Sequence, residues 1–292
     1  MRPGGRSAVS ITWLRTREPD VPYAHNDTVT LFHEAFGSPS DPTLVLVNGL
    51  GNQCLSFRDE FCTAFVDHGY RVVRFDNRDV GLSSECADEY TLSDMANDVV
   101  AVLDAVGVDR AHVMGFSLGG MIVQTMAIEH PSRLLSATSV MSTTGDPDVG
   151  RPTPEARDLL LRKGSTDRAS AVEAHLAGQR VWGSPGHVEW GIQAELAGQL
   201  FDRACRPDGV ARQYRAARRD GSRSARLGTV AVPFLVLHGT ADTLIDVSGG
   251  RRTAESVPVT RFVEIDGMGH DYPSHFWPRL VGEFHDFVRT LP

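Results

Sequence analysis

Short apolar runs rich in β-branched residues recur along the chain, each stopped by glycine or polar residues: "TLVLVNGLG" from Thr43, "YRVVRFDNRD" from Tyr70, "AHVMGFS" from Ala111, "LLSATSVMS" from Leu134 and "PFLVLHG" from Pro233. Runs that stay apolar without alternating fit strands covered on both faces, as in a parallel sheet. Helical patterns separate them: one over 57–67, one over 92–106 with Met95, Val99, Val100, Leu103 and Val106 on one face, and one over 118–130 closed by Pro131. "TRFVEID" from Thr260 adds a strand and "WPRLVGEFHDFVRTL" a closing helix. Strand and helix alternate, so the expected fold class is α/β, a mostly parallel doubly wound sheet.

One stretch breaks that rhythm. Residues 146–226 contain no convincing strand; proline and glycine punctuate them, then arginine-rich helical text follows, with Trp182, Trp190, Phe201 and Tyr214 scattered through it. The expectation is a helical cap over 146–226, inserted after the sixth strand into a core made of 23–145 and 227–292. Ordinary crossover helices with long loops are the alternative. Residues 1–22 read as a polar N-terminal arm, in which 11–14 could pack locally.

With 292 residues, 41% of them hydrophobic, the chain can bury one large core. A formal net charge of −8 argues against nucleic acid or an anionic membrane as partner and favours a small molecule. Cys54, Cys62, Cys86 and Cys205 have neither metal-ligand spacing nor the density of a disulfide scaffold. The start of the chain lacks the apolar centre of a signal peptide, and no run approaches the ~20 apolar residues of a membrane span. A cytoplasmic monomer or homodimer is therefore expected.

The stretch "VMGFSLGGM" (113–121) holds the pattern G-x-S-x-G between a strand and a helix. A sharp turn there forces Ser117 into an unusual backbone conformation and brings neighbouring chain close, so Gly115 and Gly119 are required where a Cβ would clash. A hydroxyl is a weak nucleophile and needs a base held by an acid. Downstream, "VLHGTADTLID" offers Asp242 after one strand and "VEIDGMGHDYP" offers His270 after the next. Asp246, Asp146 and Asp148 are rival acids; His238, His275 and His285 are rival bases without a glycine-flanked loop. An oxyanion would need two backbone donors, expected from Leu118 at the helix start and Leu50 in "NGLGNQ", although "NGLG" also suits an ordinary tight turn.

In their order, "VNGLG", "RFDNRDVGLSS", "GFSLGGM" and "HGTAD" followed by "GMGHDYP" resemble the α/β-hydrolase superfamily, and within it the bacterial carboxylesterases and aclacinomycin methylesterase-like hydrolases. The resemblance implies an α/β-hydrolase fold, a triad of Ser117, Asp242 and His270, an oxyanion hole from Leu50 and Leu118, and a supporting loop shaped by Arg78, Asp79 and Gly81. One departure stands out: Asn48 occupies the place where the family usually has histidine. A serine nucleophile excludes the dehalogenase and epoxide hydrolase chemistries, which need a carboxylate there. Attack on a carbonyl remains: a methyl, aryl or polyketide-like ester, a lactone, a thioester, or the carbon–carbon bond of certain diketones. A cofactor-free haloperoxidase or perhydrolase, or a small-molecule receptor, would use the same residues. No cofactor or metal is implied. Asn52, Met121, Met141, Trp182 and Met268 are expected to line the site for an apolar ester, though each also suits plain core. "RQYRAARRDGSRSAR" from Arg212 could meet an anionic substrate or coenzyme A, or form a solvated helix face.

Overall fold

A computed structural model describes residues 22–162 and 164–291; the expected arm lies outside them except for Pro22. Among the described residues, one sheet is formed by β1 (Tyr23–Asn26), β2 (Val29–Phe36), β3 (Thr43–Val47), β4 (Arg71–Phe75), β5 (Ala111–Phe116), β6 (Leu134–Val140), β7 (Phe234–Gly239) and β8 (Thr260–Ile265). Its order is β1-β2-β4-β3-β5-β6-β7-β8. The first two strands pair antiparallel, as do β2 and β4, whereas every pairing from β4 to β8 is parallel. The antiparallel hairpin was not among the expected strands.

Every residue of β3, β4, β5 and β7 is buried, and the two-residue period of a strand divides them between two cores. Val45, Val47, Val113 and Val236 point into one core with α2 (Leu92–Ala105) and α3 (Leu118–Glu129). Leu44, Leu46, Met114, Leu235 and Leu237 point into the other, with Phe61 and Phe65 of α1 (Asp59–Val66) and Leu280, Phe284 and Phe287 of the last helix, Trp277–Arg289. Apolar continuity in the sequence is thus the sum of two interleaved faces. The start of α2 is set by a reciprocal cap: the Thr91 side chain accepts from the Asp94 amide, while the Asp94 carboxylate accepts from the Thr91 amide at 2.8 Å.

Between β6 and β7 the chain forms α4 (Pro154–Leu160), α5 (Arg168–Trp182), α6 (Trp190–Arg203), α7 (Pro207–Asp220) and the short α8 (Ser224–Leu227). Then α9 (Ser248–Ser256) follows β7, and α10 (Trp277–Arg289) closes the chain. Arginines fasten the inserted helices to loops at the ends of β3 and β4. Arg203 meets the buried Asp76 at 2.6 Å, and Arg212 grips the buried Asp79 with two bonds of 2.8 Å. Gln53 donates to the Leu200 and Ala204 carbonyls at the end of α6. Arg223 is wholly buried, donating to Gln124 at 3.0 Å and to the Thr143 carbonyl at 2.9 Å. Within the arginine-rich stretch Arg212 and Arg223 are internal fasteners, because carboxylates and carbonyls that cannot reach water must find donors within the chain, whereas Arg215, Arg218 and Arg219 are exposed. Among the described residues, no helix is long and apolar enough to cross a membrane.

Candidate active site

Where β5 runs into α3 the chain turns so tightly that Ser117, a non-glycine residue, adopts φ 56° and ψ −117°. Such a conformation costs on the order of 1–3 kcal/mol and persists only when the surroundings impose it. Here they do. A Cβ on Gly115 would come within 2.0 Å of the Gly119 carbonyl oxygen, and one on Gly119 within 2.1 Å of the Val47 oxygen. The Ser117 amide donates to the Val140 carbonyl at 2.9 Å, and its own carbonyl accepts from Ser142 Oγ at 2.7 Å. Gly115→Ala should therefore destabilise the protein by about 3 kcal/mol or more, since the three nearest atoms, in Gly119 and Gly120, are all backbone and cannot move aside. A urea midpoint close to wild type would contradict that.

The turn presents Ser117 Oγ to His270 Nε2 at 2.9 Å, and His270 Nδ1 lies 2.7 Å from Asp242 Oδ2. Asp242 comes from the loop after β7 and His270 from the loop after β8. Both Asp242 oxygens are occupied, for Oδ1 accepts from the amides of Leu244 and Ile245 at 2.9 Å each. Burial of Asp242 pushes its pKa upward; the charge of His270 and hydrogen bonds from His238 and His270 overcome that and hold it at about 2. A folded pKa below the unfolded value gives stability that is present above about pH 4 and is lost as pH falls through 2. The urea midpoint of wild type should accordingly fall more steeply between pH 4 and pH 2 than that of Asp242→Asn. Parallel slopes would contradict the assignment.

The rival residues are engaged elsewhere. His238 is buried and meets the Ile245 carbonyl at 2.8 Å, with Asp242 Oδ2 more distant at 3.4 Å. His275 is stacked on His187 and His285 meets Tyr70. Asp246 accepts from the Arg151 and Ser248 amides, Asp146 from Thr144, Ser222 and Ser224, and Asp148 from Arg252.

The inserted helices also hold the loops that carry Asp242 and His270. At the C-terminal end of α5, the Val181 carbonyl accepts from Thr243 Oγ1 at 2.7 Å and the Trp182 carbonyl from the His270 amide at 2.6 Å. Ser184 donates its amide to Asp271 at 2.9 Å, and its hydroxyl also bonds that carboxylate. None of these partners was visible in the sequence, because each links positions tens of residues apart whose types are ordinary.

Beside Ser117 lies a cavity of about 390 Å³ whose lining includes Leu50 and Leu118. Leu118 opens α3, so its amide has no carbonyl four residues back in the helix to bond. The loop carrying Leu50 is fixed from several sides. Asn48 donates from Nδ2 to the Gln53 carbonyl at 2.9 Å and accepts at its own carbonyl from Asn77 at 3.0 Å. Gly51, at φ 71°, donates its amide to Gln213 of α7, which in turn donates to the Arg78 carbonyl. Arg78 is anchored by two bonds to the buried Asp98, at 2.6 and 2.7 Å. Asn48 therefore ties its own loop together.

Asn52, Met121, Met141 and Trp182 line the cavity. Met268 does not: it is 0% exposed and packs in the core with α1 and α10, its carbonyl accepting from the Ala241 amide. The turn before His270 needs an apolar plug facing inward, and Met268 fills that role. Leu160, His175, Gln179 and Tyr272 line the cavity without having been foreseen, whereas Tyr214 and Arg218, which also line it, belong to the stretch from Arg212 expected either to meet an anionic substrate or to form a solvated face. Among the described residues, no group of three His, Cys, Asp or Glu side chains could hold a metal ion.

This chain belongs to the α/β hydrolase fold family, which it matches over residues 42–272. It is 32% identical over 272 residues to rhodomycin D methylesterase of Streptomyces peucetius, covering 85% of this chain and 91% of that one. It is 26% identical to 3-oxoadipate enol-lactonase 1 of Acinetobacter baylyi, covering 90% and 94%. Among solved structures, an esterase from Rhodococcus sp. ECU1013 superposes with a TM-score of 0.77 at 24% identity, covering 92% and 98%.

Proposed function

We propose that the protein is a serine hydrolase cleaving small carboxylic esters through an acyl-serine intermediate, with Ser117 as nucleophile, His270 as base and Asp242 as the acid that orients it. The observation that carries this reading is the hydrogen-bonded chain from Ser117 Oγ through His270 to Asp242, opening at Ser117 onto a cavity of about 390 Å³. His270 accepts the Ser117 proton as Oγ attacks the ester carbonyl, and Asp242 stabilises the imidazolium that results. Negative charge developing on the carbonyl oxygen meets the amides of Leu50 and Leu118 at the positive end of α3. His270 then protonates the departing alcohol, activates water in the same way, and free acid leaves.

Relatives named a methylesterase and an enol-lactonase support ester or lactone bonds over other carbonyl chemistry. The lining of Leu160, Met121, Met141, Trp182 and Tyr214 favours an apolar body in the substrate. Residues 146–226 serve as the cap that shapes this cavity, and the compartment of action is the cytoplasm.

The test is a burst experiment with p-nitrophenyl butyrate, together with mass spectrometry after a fluorophosphonate probe. A stoichiometric burst and a single adduct on the peptide carrying Ser117 are expected. Absence of both in folded protein would end the esterase reading.

A further inference from the structure

We propose that the substrate carries an anionic group, such as a carboxylate, remote from its ester and held by Arg218, with Arg157 assisting. This rests on the hydrolase reading above and deepens it by naming a charge on the substrate. The chain has more acidic than basic residues and a net charge of −8, yet among the described residues no Asp or Glu lines the cavity beside Ser117. Among the described residues, the side chains there that carry a fixed charge are Arg157, from α4, and Arg218, from α7.

Helical spacing explains how Arg218 reaches that place. Tyr214, Ala217, Arg218 and Gly221 recur at intervals of three and four, the spacing of one helix face, and all line the cavity. The neighbouring arginines of the same helix look elsewhere: Arg212 binds Asp79, while Arg215 and Arg219 both bind Glu89. Arg218 has no ion pair, hydrogen bond or aromatic ring beneath it among the described residues. Arg157 is paired only with its exposed neighbour Asp158, at 3.1 Å, a contact of a kind worth little in water. A guanidinium without a partner, on an exposed residue that lines a largely apolar cavity, attracts an anion and can hold it through two parallel hydrogen bonds. An apolar substrate body would then run from Ser117 to this cationic end, and orientation would follow from charge.

The experiment compares p-nitrophenyl esters of adipic and suberic acid, whose far end is a free carboxylate, with the same esters carrying a far-end carboxamide. At low salt, wild type should turn over the carboxylate esters with a kcat/KM about tenfold higher or more, and added salt should shrink the gap. Arg218→Ala should remove most of that preference, chiefly through KM, while leaving the carboxamide esters within about twofold; Arg218→Glu should reverse it. Because Arg218 is exposed and without bonds to lose, its variants should unfold at the wild-type temperature. Arg157→Ala should cause a smaller loss in the same direction. Equal turnover of both esters by wild type, or equal effects of Arg218→Ala on both, would overturn the anionic substrate and leave the esterase standing. If neither ester is cleaved and no fluorophosphonate adduct forms, it is the hydrolase reading that fails.

Discussion

Ser117→Ala should lower kcat/KM for p-nitrophenyl esters by about 10⁴-fold or more and abolish the fluorophosphonate adduct, because the nucleophile is gone while the cavity and backbone donors remain. Stability separates this loss from misfolding. Alanine keeps the Cβ, so the strain of φ 56° persists, and the variant should unfold close to the wild-type temperature. Ser117→Gly gives a second reading of the same atom. It is equally unable to attack, but glycine adopts that conformation without cost, so it should be at least as stable as wild type despite glycine's larger unfolded-state entropy. A stable, inactive pair of variants would show that the chain holds Ser117 in a costly conformation for its hydroxyl alone. Residual activity near wild type in Ser117→Ala would move the chemistry to another residue.

What the sequence made legible depended on how many faces of an element are buried. Strands β3, β5 and β7 are covered on both sides, and their unbroken apolar text announces them. The hairpin of β1 and β2 did not stand out, because only Ala24, Val29 and Leu31 of it are buried and polar residues interrupt the run. Helix α9 was hidden for another reason: "SGGRRTAES" reads as a loop, yet its glycines let it lie against the sheet, where a Cβ on Gly250 would strike His238. Ser117 and His270 stood out at strand ends through their nearby glycines, Asp242 only through its place in the loop after a buried strand. The inserted helices were visible only as an interruption, since the contacts that fasten them, such as Arg212 to Asp79 or Gln213 to Gly51, join positions more than a hundred residues apart. Helical spacing sets Arg218 on a different face from Arg212, but not which face meets the cavity that Arg218 lines. Met268 went wrong for the same reason: a methionine beside a candidate histidine suits a pocket wall and a core plug equally well.

Asp242→Asn should reduce kcat by about 10³- to 10⁴-fold with little change in KM, and the reason lies in which of its two oxygens the fold has already claimed. Oδ1 accepts from two backbone amides, Leu244 and Ile245. An asparagine placed there must turn its carbonyl oxygen toward those amides, because its NH2 group would set donor against donor. The NH2 then faces His270 Nδ1. To accept from it, Nδ1 must give up its proton, and neutral His270 carries its hydrogen on Nε2, toward Ser117 Oγ. A histidine in that tautomer cannot take the serine proton. Residual activity should therefore rise with pH far beyond the point where wild type levels off, as hydroxide replaces the lost base. Fluorophosphonate labelling should slow in parallel, since it depends on the same activated oxygen. Asp242→Ala, which leaves room for water and does not dictate the tautomer, should lose less activity than the isosteric asparagine. Were Asp242→Asn to retain wild-type kcat, Asp242 would not be the residue that orients His270.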